Sequence, residues 1–509
     1  MSEFNRRQLL LGGAIVFGSL ALPVSAKPLL IPRRQLHTRY SVASAEGQAM
    51  LAIYASAVKK MMDPAQYPEG NPLNWIFQWY THFVRADKTK QQELARVYPV
   101  NDPNKVLATK VWDTCQAHSS GQREDFFLPW HRMFIGYFEE IIRQVSGKPN
   151  FTLPYWDYTD PVQQILPVDF RKQGDPVWNS LYRASRWPQT NAGQNITQGP
   201  GGADLNLNAM KSNLYSGTSG GDAGFCANLD MNPHGALHVD VGNNVGMASV
   251  PWAANDPIFW LHHCNIDRIW ASWNFAGGKN PADPAFLNTQ FVFAGPTGGA
   301  VVGTVKDFLA VPKTAYDHYA QRPAGSLPFP KRMPVLLSPQ FALQMENVAT
   351  EKSAPVRLGN APVTVDLANP APAAEATQRN QLFSAKLRSL KKQANLFLRL
   401  EGLSAHGVVN GVYNVYVHAN DAPSQDTRGP AFVGQINFFS AAGTHQHDDA
   451  TGGEGNNPDK KAFSFLLSAE TRALLAQSNT DVPRVTLVPT GTGNADALPS
   501  IDKIALVAS

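Results

Sequence analysis

Apolar residues recur at helical spacing in five segments of the first 275 positions. Residues 48–62 carry one such stripe and stop at Asp63-Pro64. Residues 73–84, rich in Trp and Phe, follow the start signal Asn71-Pro72, and residues 129–145 place Pro in a first turn and Gly147 just past the end. Residues 233–239 and 257–274 complete the set. Residues 189–224, rich in Gly, Asn and Ser, read as a long surface loop. From Leu396 the period changes to two, in LFLRLEGL, VYNVYVHA, FVGQINFF, AFSFLLS and RVTLVP, with Gly, Asn, Asp and Pro turns between them. The pattern predicts a mainly α core, a four-helix bundle with long loops over residues 27–320. A Pro-rich linker (321–345) and a C-terminal all-β sandwich or barrel domain (346–509) follow. A loop is expected near residues 370–376, and no internal repeat is found.

The first 26 residues read as a signal rather than as fold. Asn5-Arg6-Arg7-Gln8-Leu9-Leu10 is a twin-arginine pattern, a Gly-softened apolar run covers 11–22, and Val24-Ser25-Ala26 is a small-residue cleavage site that leaves Lys27 first. The run is well short of the ~20 apolar residues of a spanning helix, so no stable membrane insertion is expected. The expectation is passage of the folded protein through the twin-arginine export machinery, to a periplasmic or secreted location. At 509 residues the chain can bury a large core, and a formal charge of +4 gives no reason to expect nucleic acid as a partner. Cys115, Cys226 and Cys264 are too few for a disulfide framework and read as buried thiols.

The chemistry lies in histidines. His82, His118 and His131 form one set, and His234, His238 and His263 a second; the last member of each sits inside a long aromatic-apolar helix signal. His234 and His238 are one helical turn apart and project from one face. Gly235, not Glu, follows His234, so this is not the zinc-protease helix with its own general base. No Glu-x-x-His occurs, which argues against a carboxylate-bridged di-iron bundle. Imidazole sets without thiolate or carboxylate suit copper. A residue such as His82, taken alone, would read as a satisfied core histidine.

These segments resemble the tyrosinase and catechol oxidase family, whose coupled binuclear copper site is shared with the hemocyanins. The matching pieces are Phe126-Phe127-Leu128-Pro129-Trp130-His131-Arg132, Leu153-Pro154-Tyr155-Trp156-Asp157, Asn232-Pro233-His234-Gly235 with His238, and residues 256–270. The resemblance implies that His82, His118 and His131 bind one copper ion and His234, His238 and His263 the other. Dioxygen is then co-substrate, small phenols and catechols are substrates, and o-hydroxylation of monophenols, oxidation of o-diphenols to o-quinones, or both, is the reaction. It makes His262 a structural neighbour of the ligands. Asp267, one turn past His263, is either a hydrogen-bond partner for a histidine ring or an ion-pair partner for an arginine.

The chain departs from the family in three places. A polar insert, 119–125, widens the gap between His118 and His131. Cys115 lacks the Cys-x-His spacing that accompanies a thioether to the second ligand, so none is expected. In the family a Glu, with the residue after the first histidine of the second set, is proposed to hold a water that deprotonates monophenols. Here those places fall to Asp230 and Gly235, and Asp230 serves equally well as a helix cap. The later domain resembles the C-terminal shielding domain of latent polyphenol oxidases, which lays an aromatic ring into the copper pocket. Phe432, Phe438 and Phe439 are the candidates, each with β-domain core as the plain alternative. His445 and His447 read as a solvated loop or a transient metal site. A hemocyanin-like dioxygen carrier could use the same six ligands; a copper-sequestering protein would use clustered Met or Cys, and the ten Met do not cluster.

Overall fold

The computed structural model describes residues 37–99, 102–116, 125–217, 221–330, 346–350, 355–367, 395–419, 425–439, 441, 461–477, 482–491 and 495–508. The helical part is built from α1 (Ala45–Met61), α2 (Trp75–His82), α3 (Lys90–Val97), α4 (Pro103–Val111), α5 (Phe127–Ser146), α6 (Ala236–Val241) and α7 (Ile258–Phe275). α5 is the axis of the core. It is buried on nearly every face, its polar and charged members His131, Arg132 and Glu139 included, and it packs against α1 and α7. It ends at Gly147, whose φ of 67° is left-handed and whose N–H returns to the Arg143 carbonyl. α7 is buried from Ile258 to Trp273.

A buried ionic knot ties α5 to α7. Arg39 donates to Glu139 (2.7 Å), to Asp267 (3.0 Å) and to the Tyr316 hydroxyl (2.7 Å). Arg132 pairs with Asp267 and lies over the Trp270 ring, 3.6 Å from its centre. Burial alone would raise the Asp267 carboxyl, but Arg132 and Arg39 outweigh it and hold it below the usual carboxylate range. Of the two readings of Asp267, the arginine pair is the one observed.

α3 and α4 lie where no helix was expected. The segment read as surface loop, 189–224, is irregular, yet Ile196, Leu205, Met210 and Tyr215 are buried in the core. These apolar residues, spaced among the Gly and Asn, pin it to the body.

A hairpin, β1 (Gln290–Ala294) with β2 (Ala300–Thr304), closes the helical part. Among the described residues, besides a short pair of two-residue strands (Val356–Arg357 with Ser500–Ile501), eight longer strands follow: β3 (Glu346–Thr350), β4 (Val363–Asp366), β5 (Leu396–Leu403), β6 (Tyr413–His418), β7 (Phe432–Ile436), β8 (Lys461–Leu466), β9 (Arg484–Pro489) and β10 (Lys503–Ala508). The eight longer strands make two antiparallel sheets, ordered β4-β9-β6-β7 and β3-β10-β5-β8. Leu398, Leu400 and Leu506 of one sheet share a core with Val415, Ile436, Val485 and Leu487 of the other. The arrangement is a sandwich, and no barrel closes among the described residues. No described helix is long and apolar enough to cross a membrane. The segment read as a signal, 1–26, and most of the expected linker lie outside the described residues.

Candidate metal centre

Five of the six predicted histidines converge between α2, α5, α6 and α7; His118 lies outside the described residues. His82 is the last residue of α2, His131 sits in the first turns of α5, His238 is on α6 and His263 on α7. His234 sits in a π turn, Asp230–Gly235, that enters α6. All are buried. The His131 and His263 rings are stacked, their centres 4.2 Å apart and their planes 5° apart, so the two sets form one pocket. Phe127, Phe134 and Phe259 pack around the rings and keep the pocket apolar.

Backbone carbonyls fix the tautomers. A carbonyl can only accept, so His131 donates from Nδ1 to Phe127 O (2.8 Å) and His238 donates from Nδ1 to Met247 O (2.7 Å). Each is left with a lone pair on Nε2. Burial, then the neighbouring His234, lowers His131 to a pKa of about 3, and burial holds His238 and His263 well below the ordinary histidine value. These imidazoles are neutral, the form that ligates metal. Among the described residues, Nε2 of His238 and both ring nitrogens of His263 have no hydrogen-bond partner. Buried polar atoms in that condition are costly, and a metal ion is the partner that a cluster of neutral imidazoles can offer.

Metal-competent atoms fall into two groups, each with its members within 4.8 Å of one another: His82, Cys115 and His131, and His234, His238, His262 and His263. Neither contains a carboxylate. The residues fit a pair of copper ions, with soft and imidazole donors and no hard oxygen. Cys115 was not expected in the pocket; its Sγ lies 3.6 Å from Nε2 of His131. Its position depends on a fold-back that no local motif announces. His262 bonds through Nδ1 to the Tyr158 hydroxyl at 2.7 Å, which orients it beside the ligand rings.

Asp230 directs a carboxylate oxygen at Nδ1 of His234, 2.8 Å away, on the side of the ring opposite Nε2. This is the carboxylate–histidine arrangement that aims a metal ligand. Gly235 follows in helical conformation, φ −62° and ψ −31°. Asp157 pairs with Arg268 at 2.6 Å, a structural role.

The C-terminal region supplies one wall. Phe439 lies flat on the His238 ring (3.9 Å between centres, 13° between planes) and meets His234 at a steep angle, 5.6 Å between centres. Phe438 belongs instead to the sandwich core, and Phe432 packs on Tyr416 at the sheet. His445 and His447 lie outside the described residues.

Comparison with known proteins matches the tyrosinase model, "Common central domain of tyrosinase", to residues 72–200 and 174–276. A second family model, a domain of unknown function (DUF7868), matches residues 344–509. Tyrosinase HcTyr1 of Hahella sp. (strain CCB-MM4) is 27% identical over 495 residues, covering 90% of this chain and 96% of that protein. The chloroplastic polyphenol oxidase of Malus domestica is 25% identical over 476 residues, covering 84% and 76%. Among solved structures, a latent aurone synthase (polyphenol oxidase) superposes with a TM-score of 0.59 at 20% identity, covering 95% of this chain and 92% of that one. Latent apple tyrosinase gives 0.57 at 19%, covering 93% and 97%. At these identities the structural likeness speaks for the fold.

Proposed function

This chain belongs to the tyrosinase family, and we propose that it oxidises small o-diphenols to o-quinones with dioxygen at two copper ions, in a form shielded by its own C-terminal domain. The observation that carries the reading is the single buried pocket in which His131 of one set lies against His263 of the other. Copper held there would supply dioxygen binding and two-electron oxidation of a coordinated phenol. The chain's part is to present imidazoles, neutral at His131, His238 and His263, aim His131, His238 and His234 through Phe127 O, Met247 O and Asp230 respectively, and exclude water with Phe127, Phe134 and Phe259.

Monophenol hydroxylation asks more. A free phenol has a pKa of about 10 and needs a base to lose its proton. Asp230 is engaged with Nδ1 of His234, and Gly235 brings no side chain, which favours diphenol oxidation as the principal activity. The shielding reading is supported by the Phe439 ring against His238. The twin-arginine segment supports export in the folded state, tested by sequencing the mature N-terminus for Lys27.

The deciding experiment is oxygen uptake by the copper-loaded protein with a monophenol and with its o-diphenol, before and after cleavage between residues 322 and 339. Diphenol turnover that rises on cleavage is expected. Turnover of both substrates would extend the activity to hydroxylation. Reversible oxygen binding without turnover, even after cleavage, would replace the oxidase by a dioxygen carrier.

A further inference from the structure

Gly235 has no conformational reason to be glycine. Its φ of −62° and ψ of −31° are ordinary helical values, and glycine is a poorer helix former than alanine in such a position. The reason is spatial and comes from the other domain. A Cβ on residue 235 would stand 2.6 Å from Oδ1 of Asn437, and 3.2 Å from both its Cγ and its Nδ2; these are the three nearest atoms.

The Asn437 carboxamide is not free to swing aside. Its Nδ2 donates to the Met231 carbonyl at 2.9 Å, and its Oδ1 accepts the backbone N–H of Phe439 at 3.2 Å. Its own backbone N–H reaches the Met231 sulfur at 3.3 Å. Met231 lies in the π turn that carries Asp230 and His234. The residues after β7 therefore grip the turn that holds a metal-ligand candidate, and two residues later Phe439 covers the His238 ring.

We propose that the bare Cα of Gly235 is the seat of the C-terminal arm: the absent side chain makes room for Asn437, and Asn437 sets Phe439 over the pocket. The position just after His234 thus governs closure of the site. This rests on the reading that residues 437–439 shield the pocket. A side chain at 235 should push the arm off without any cleavage of the chain. One extra carbon forced into a packed contact shifts such an equilibrium by about tenfold.

The test uses full-length, copper-loaded protein in four forms: unchanged, Gly235→Ala, Asn437→Ala, and both together. Each is assayed for o-diphenol oxidation before and after cleavage between residues 322 and 339. The ratio of the two rates removes any effect of residue 235 on the chemistry itself. The rate at which an added chelator strips copper reports access independently of turnover. Gly235→Ala should narrow the cleaved-to-uncleaved ratio about tenfold and speed copper loss from the uncleaved chain. Asn437→Ala should also narrow it, and the double variant should match Asn437→Ala alone, because the collision requires the Asn437 amide. A ratio for Gly235→Ala equal to the unchanged protein's, or effects that multiply in the double variant, would overturn the inference while leaving the shielding reading intact. Cleavage that raises neither activity nor copper access in the unchanged protein would remove the shielding reading, and this inference with it.

Discussion

The imidazole of His131 lies parallel to that of His263, 4.2 Å from centre to centre, although the two sit on different helices and in different histidine clusters. His263→Ala should lower bound copper from two ions per chain towards one and reduce diphenol turnover to background. Metal analysis after dialysis, alongside oxygen uptake, checks this; a full complement of copper in the variant would exclude His263 as a ligand.

The buried histidines make the copper-free protein acid-sensitive. His131 falls from an unfolded value of 6.5 to about 3, and His238, His262 and His263 are lowered in the same direction by burial. Between those values the unfolded chain binds more protons than the folded one, so stability is complete above pH 6.5 and declines as pH falls towards 3. The melting temperature of the metal-free protein should drop steadily from pH 7 to pH 4. His131→Gln should flatten part of that slope; an unchanged profile would mean that His131 is not neutral in the fold.

Asp230 acts on His234 from behind the ring. Asp230→Ala should weaken copper binding by about 10- to 100-fold, as loss of a carboxylate behind a metal-bound histidine does, while Asp230→Asn should recover part of it. Competition against a chelator of known affinity measures both. Equal affinity in all three proteins would leave Asp230 as a backbone-capping residue.

The Arg132–Asp267 pair is enclosed by Trp270 and by Arg39. Arg132→Met leaves a buried carboxylate short of its main partner and should cost about 3–5 kcal/mol in denaturant unfolding. Asp267→Asn in the same background should return part of that loss, since it removes a buried carboxylate left with Arg39 and Tyr316 alone.

The parts of this protein legible in its sequence are those written in local periodicity. The apolar stripe of α5, closed by Gly147, and the period-two runs of the sandwich need only neighbours along the chain to be recognised. α3 and α4 were missed because their faces are mostly polar, yet their caps were in view: Thr89 with Gln92 forms a reciprocal capping box, and Asp102 precedes Pro103. Long-range placements had no local signal. Nothing near Cys115 announces His131, and nothing near Gly235 announces Asn437. Phe432, Phe438 and Phe439 could not be ranked by alternation, because β7 ends at Ile436 and the period of two ends with it.

The place of β10 in its sheet has a consequence for the timing of assembly. Residues 503–508 are not an edge strand; they lie between β3 and β5, and Ile504 and Leu506 complete the core that also holds Ile436. On a ribosome the helical body emerges first, and Phe439 emerges well before the strand that its domain needs to become stable. On the shielding reading, the histidine pocket should therefore stand uncovered from the completion of α7 until β10 slots home. Metal entering in that interval would not have to displace Phe439. A chain ending at Asp502 should remain in that open condition, turning over diphenol at the rate of the cleaved protein.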